Sequence, residues 1–288
     1  KILAFAEKQE NLGIVGCKLI DGTGNFLPES KRGIPTPFVA LTKIFGLYKL
    51  FPNWGLFNRY YAQHLTENET GKTAILVGAF MIMKRDLYNE IGGFDENCFM
   101  YSDDIDLSYM ALKSGKLNYY FHETSVIHYK GESTIKDGLY MKRFREAMQF
   151  FYNKHYKSSA IFNFFMKIGA LFFALVKKKQ GNVKPIKVDD YILISEDENL
   201  YNKLENQLNK KLFWETKLDS NALFSHRNNC KNQTEILIDN NSFSFKSIIS
   251  FLETHKNQGF TFKIIPKNSL FMIGSNNSND KGIVVKID

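Results

Sequence analysis

The sequence predicts an α/β protein built in two parts, and three observations carry that expectation. From Lys1 to about Tyr156, short apolar runs alternate with helix-periodic stretches and Gly/Pro punctuation, the pattern of a mixed sheet flanked by helices. An apolar run over 158–179 closes on Lys177, Lys178 and Lys179 and is followed by the break GNVKP. Residues 188–288 then return to strand–helix–strand order with short links, which predicts a small parallel sheet of Rossmann-like type. The expected boundaries are 1–156, 157–187 and 188–288.

Taken in order, KILAFAEKQ reads as a helix running into the strand LGIVGCKLI. The chain opens inside an element and without Met, so a piece of a longer protein is expected. TAILVGAFMIMKRDLY reads as a buried strand broken at Gly78 and Ala79, where backbone could approach a ligand closely. EIGGFDENCFMY follows as a Gly-Gly turn and an aromatic loop. SDDIDLSYMALKSG has the marks of a helix: Ser102 at the N-cap, Asp103 and Asp104 in the first turn, Lys113 in the last and Gly115 just past the end. KLNYYFHETSVIHYKGEST contains an expected strand from Ser125 to Tyr129, with Val126 and His128 on one face. Beyond the break come strand DYILIS, helix ENLYNKLENQL, strands LFWET and TEILID, helix FKSIISFLETHKNQG capped by Gly259, and strand FTFKIIP. The tail FMIGSNNSNDKG reads as polar and flexible.

Composition bounds the function. With 44% hydrophobic and 24% charged residues in 288, the chain is neither disordered nor collagen-like. Its 26 Phe and 14 Tyr suit aromatic-lined grooves, although core filling accounts for most such rings. A net charge of +8 favours anionic partners. No zinc pattern, ribonucleoprotein stretch or long basic helix accompanies it, so anionic lipid or a diphosphate-bearing substrate is expected rather than nucleic acid. Cys17, Cys98 and Cys230 are odd in number and widely spaced, which argues for a reducing compartment and against a disulfide framework.

The apolar run is open to two readings. Ile161–Val176 is shorter than the ~20 residues that span a bilayer, and Asn163 and Lys167 interrupt it. An interfacial helix with its lysines near anionic headgroups is preferred; a helix buried between the two parts is the alternative.

Asp103, Asp104 and Asp106 are three carboxylates within four positions. First-turn acids often serve only the helix dipole. Neighbouring first-turn residues point about 100° apart, however. One can then hold the loop while its neighbour faces a cleft, where repulsion would raise its pKa towards that of a usable base. His128, alone at a strand end, is by spacing more often structural than a metal ligand, and no second His or Cys stands at ligand spacing. In the second part, the turn SEDEN after the first strand is acidic and lacks Gly. That disfavours a phosphate site there and leaves a docking or scaffolding role.

The stretch VGAFMIMKRDLYNEIGGFDENCFMYSDDIDLSYMALKSG, followed by VIHYKGEST, resembles family-2 glycosyltransferases, in particular the bacterial rhamnosyltransferase-like branch. GCKLIDGTGNF, KRGIPTPF, GLYKLFPNWG and KRFREAMQFFYNKHY also fit, so the resemblance covers about residues 1–156. It implies a glycosyltransferase A-type fold, of which this chain holds only the acceptor-side half, without the donor-binding half and its DxD motif. It implies an inverting enzyme that moves a single sugar from a nucleoside-diphosphate donor to a saccharide or lipid-linked acceptor in cell-surface polysaccharide assembly. The QxxRW motif of processive synthases is not found after the acidic motif.

By the same resemblance Asp104 takes the place of the catalytic base, beside Asp103, and His128 matches a histidine that in some relatives helps hold a divalent metal, Mg or Mn. Gly78, Ala79, Gly92, Gly93 and Asp95 match loops that shape the acceptor and donor-sugar pocket, and Asp106 joins them as a substrate-binding residue. Asp103 stands where relatives usually have Glu. Met110 stands where they usually have Arg, so a salt bridge or phosphate contact is expected to be lost. The implied location is cytoplasmic and peripheral on the membrane's inner face. A non-catalytic glycan- or partner-binding module is the alternative, and nucleic-acid binding rests on charge alone.

Overall fold

The computed structural model describes residues 1–288 except 37, 40–41, 43–45, 52–53, 55–59, 99, 130–137, 157–186, 221–222, 224–225, 227–232 and 278–280. The apolar stretch 158–179 and Cys230 lie outside the described residues. The chain forms two compact units. One comprises Lys1–Lys18, Pro28–Thr124 and Lys136–Asn182; the other comprises Leu19–Leu27, Ser125–Ile135 and Val183–Asp288. Two short segments of the first 156 residues thus group with the C-terminal residues. The architecture is α/β, with two mixed sheets flanked by helices.

The chain begins with helix α1 (Ile2–Glu7) and strand β1 (Leu12–Ile20), all nine of whose residues are buried. β1 is inner in a four-stranded sheet of order β2-β4-β1-β3, with β2 at Gly71–Lys72, β3 at Ile82–Met83 and β4 at Leu117–Ile127. β3 runs antiparallel to β1, with Ile14 opposite Met83, and β2 antiparallel to β4. The bonds Leu117 N–Asn11 O and His128 N–Ile20 O advance together along both strands, so β1 and β4 are parallel.

Helices α2 (Leu47–Leu50), α3 (Arg85–Glu90), α4 (Asp103–Lys113) and α5 (Gly138–His155) complete the first unit. α4 is two-sided. Leu107 and Ala111 pack with Ile14, Leu76, Leu87 and Ile91, while Ile105 packs with Ile75 and with Met148, Phe151 and Tyr152 of α5. Asn118 ties these elements together. Its Oδ1 accepts Ile14 N at 2.9 Å, and its Nδ2 donates to Ala74 O at 2.7 Å and Ser108 O at 2.9 Å. Only glycine fits opposite it: a Cβ on Gly13 would lie 2.4 Å from Asn118 Oδ1.

Three sequence expectations change here. Residues 73–77 are not strand: Ile75 makes only an isolated bridge to Arg32, and the strand proper is Ile82–Met83. β4 begins at Leu117 rather than Ser125, because Tyr119 and Tyr120 pair with β2, and His128 falls just beyond its end. Ser102 stands at the N-cap of α4 but does not cap it; its hydroxyl donates to Ala147 O at 2.9 Å.

The second unit carries a six-stranded sheet of order β10-β9-β8-β7-β5-β6. Strands β5 (Asp190–Ile194), β6 (Leu212–Glu215), β7 (Thr234–Asp239) and β8 (Phe260–Ile265) are parallel, as the sequence predicts. In chain order the parallel strands are arranged 2-1-3-4, a doubly wound order. Helix α6 (Glu198–Leu208) covers one face through Leu204, against Leu193 and Leu237. Helix α7 (Phe245–His255) covers the other through Ile248, Phe251 and Leu252, against Ile236, Ile238 and Phe262. The tail begins as strand rather than coil. Phe271–Gly274 forms β9 and Ile283–Lys286 forms β10, an antiparallel pair that extends the sheet.

Candidate active site

The acidic motif enters α4 as the spacing predicts, with Asp103, Asp104 and Asp106 in its first turn. Two residues apart on a helix means about 200° around it, so Asp104 and Asp106 serve opposite sides. Asp104 Oδ2 receives Arg32 Nη2 at 2.7 Å and Gly78 N at 3.0 Å. Both side chains of this ion pair are almost closed to solvent, 12% exposed for Arg32 and 11% for Asp104. Arg32 also donates to Leu76 O at 3.0 Å. Burial, the largest single influence, would lower the guanidinium pKa, but the Asp104 charge and hydrogen bond together with Tyr60 and Glu29 outweigh it and hold Arg32 above its ordinary value. Asp104 Oδ1 is buried and has no hydrogen-bond partner among the described residues. Gly78 and Ala79 form an exposed turn over this carboxylate.

Asp103 is half-buried, and burial followed by the neighbouring Asp104 charge raises its carboxyl above the usual range. The repulsion anticipated from sequence thus acts on Asp103, while Asp104 is the carboxylate that holds a loop. Arg32 supplies the loop's cation, a role that its place in KRGIPTPF does not announce.

On the opposite side of α4, Asp106 is buried against α5. Its Oδ1 meets His155 Nε2 at 2.5 Å and its Oδ2 receives Lys154 Nζ at 2.9 Å. Lys154 also reaches Asp95 Oδ2 at 2.7 Å, and Asn97 donates to Asp95 Oδ1 through its backbone and side chain. Lys154 and Asn97 hold the Asp95 carboxyl down to about 2. Asp95 and Asp106 therefore anchor the loop after α3 to α5. Gly92 and Gly93 close α3 in the left-handed region, at φ 86° and 64°. At Gly93 the fit is tight as well, since a Cβ would meet the Tyr88 ring at 2.5 Å.

His128 belongs to the second unit. No group of three or more His, Cys, Asp or Glu able to hold a metal occurs among the described residues. The described residues thus do not by themselves form a site for the implied divalent metal. Met110 packs partly buried against the Ile14–Leu87–Leu107 cluster. Cys17 and Cys98 are free thiols, and burial pushes Cys17 up to about 12. A cavity of about 430 Å³ in the first unit is lined by Gly33, Thr36, His64, Lys72 and Asn118, among others, and includes none of the three aspartates.

A buried Arg–Asp pair at the head of a helix, roofed by a glycine turn in an α/β unit, defines a site organised around one carboxylate. Residues 33–149 match the family described as Glycosyltransferase like family 2. Proteins from two strains of Mycobacterium tuberculosis, each named N-acetylglucosaminyl-diphospho-decaprenol L-rhamnosyltransferase, are 29% identical over 139 residues. The alignments take in 47% of this chain and 43% of each relative, so the match spans less than half the length of those curated proteins. No solved structure matches the chain.

Proposed function

We propose that the protein acts in glycosyl transfer for cell-surface polysaccharide synthesis, as an inverting enzyme that moves one sugar from a nucleoside-diphosphate donor to a saccharide or lipid-linked acceptor. The observation that carries this reading is Asp104: one oxygen is fixed by Arg32 and Gly78 N, and the other has no partner among the described residues. In this reading the acceptor hydroxyl gives its proton to Asp104 as its oxygen bonds to the anomeric carbon. The bond to the diphosphate breaks with its electron pair on the departing oxygen, and the configuration inverts. The relatives' names support a diphospho-lipid-linked N-acetylglucosamine acceptor and rhamnose as the sugar.

A divalent metal, Mg or Mn, belongs to the same proposal, and EDTA is expected to suppress turnover. So does a peripheral place on the inner face of the membrane. No helix among the described residues is long and apolar enough to cross a bilayer.

The raised carboxyl of Asp103 favours a second assignment within the reaction, with Asp103 as base and Asp104 as the residue that positions it. The test is product formation by the complete protein carrying Asp104→Asn or Asp103→Asn. Loss of transfer with Asp104→Asn and little change with Asp103→Asn supports Asp104 as base. The reverse pattern moves the role to Asp103. Glycan binding without any donor-dependent product in the wild type would replace the enzyme by a binding module.

A further inference from the structure

The second unit holds a cavity of about 340 Å³ lined by Ile127, Tyr129, Phe245, Ile249, Ile264 and Ile273, with Ser125, Val126 and Pro266 completing it. Every one of these residues belongs to that unit. Protein interiors leave few voids larger than a water molecule, and apolar cavities stay dry and take apolar guests. This volume lies within the range of small-molecule sites. Its polar groups are few: Tyr129 Oη, which donates to Ile273 O at 3.4 Å, and the Ser125 hydroxyl.

Position in the fold favours a ligand. Ile264 and Pro266 stand at the carboxyl end of the parallel strand β8, and Phe245 begins α7, the side of a doubly wound sheet on which ligands bind. The antiparallel pair β9–β10 extends the floor, with Val284 directly opposite Ile273 and therefore on the same face. Apolar surface spills out of the mouth: Phe245 is 50% exposed and Val284 57% exposed.

The rim is basic. Lys246 follows Phe245, Lys267 follows Pro266, and Lys286 lies two residues from Val284 on the same strand face; all three are exposed. An apolar slot with cations at its mouth matches an amphiphile whose chain is aliphatic and whose head is anionic.

We propose that this cavity binds the aliphatic chain of a phosphate-headed lipid, with the phosphate held at the rim by Lys246, Lys267 and Lys286. The site gives the second unit a ligand and goes beyond glycosyl transfer. It requires no donor and no turnover, so binding and transfer can each fail independently of the other.

The experiment is titration of the full chain with farnesyl phosphate, farnesol or inorganic phosphate, followed by calorimetry. Farnesyl phosphate is expected to bind, farnesol more weakly, and inorganic phosphate not measurably at the same concentrations. Ile249→Trp, which fills the slot, is expected to weaken farnesyl phosphate and farnesol alike by about tenfold or more. The surface variant Lys246→Glu/Lys267→Glu/Lys286→Glu does not touch the core and tests the rim should Ile249→Trp misfold. It is expected to weaken farnesyl phosphate by about tenfold or more and leave farnesol unchanged. Three results would overturn the proposal: no binding of farnesyl phosphate to the wild type, equal binding of inorganic phosphate, or full affinity in the lysine variant. Full affinity in an Ile249→Trp protein that melts like the wild type would overturn it too.

Discussion

Each unit places aspartates at the ends of its strands or helices, and the two sets are satisfied in different ways. In the second unit Asp239, fully buried at the end of β7, has every oxygen engaged. Ser195 and Ser242 donate to Oδ2 at 2.8 and 3.0 Å, and Asn241 donates to Oδ1 from its backbone and its side chain at 2.8 and 3.0 Å. Asp197 caps its own helix, accepting Asn199 N and Leu200 N. In the first unit Ser102 does not cap α4, Asp104 has one oxygen pinned and one without a partner among the described residues, and Asp103 is raised above the usual carboxylate range. Similar residue types give a fully bonded carboxylate in one place and a partly bonded one in the other. The difference lies in how many hydrogen-bond sites the surrounding chain fills.

The sharpest way to break this comparison is to neutralise one carboxylate of each kind. Asp104→Asn is expected to lower transfer by about 10²–10⁴-fold in the complete protein, the range for loss of a general base, whereas Asp239→Asn leaves transfer near the wild-type rate. Equal losses in the two, measured as product per minute, would erase the distinction. Arg32→Ala leaves Asp104 as a buried charge without its cation, and should destabilise the first unit by about 3–5 kcal/mol in denaturant unfolding. Asn118→Ala strips three partners from buried backbone groups and should cost about 3 kcal/mol. Asp197→Ala removes only a cap and should cost about 1 kcal/mol.

The smallest effects are those of pH, and they have opposite signs. Asp103 is raised in the folded state, so its share of stability is complete below the ordinary aspartate pKa and is lost as pH climbs through the raised value. Asp95 is lowered to about 2, so its share is present above the ordinary pKa and is lost as pH falls towards 2. Unfolding midpoints of Asp103→Asn and Asp95→Asn across pH should differ from the wild type on opposite limbs of the profile.

Much of this was legible along the chain. Helix α4 follows its acidic head and its Gly115 stop to the residue, and the four parallel strands of the second unit fall on the apolar runs that announced them. The tail was not legible: FMIG and IVVK are too short for a period-2 signal to stand out, and they are strand because β8 offers an edge to pair with. Nor was the break at 73–77, where apolar residues reach the core without a strand partner beyond the single bridge to Arg32.

The sequence by itself determined the α/β class, the acidic motif and the family resemblance, because periodicity, capping residues and motif order are local properties. Which carboxylate is pinned and which is raised, that Lys154 and His155 claim Asp106, that Arg32 meets Asp104 across 72 positions, and that an apolar cavity opens beside α7 were decided only by tertiary structure. A side chain's partners come from segments distant in sequence, and desolvation and hydrogen bonding act only once those segments have packed together.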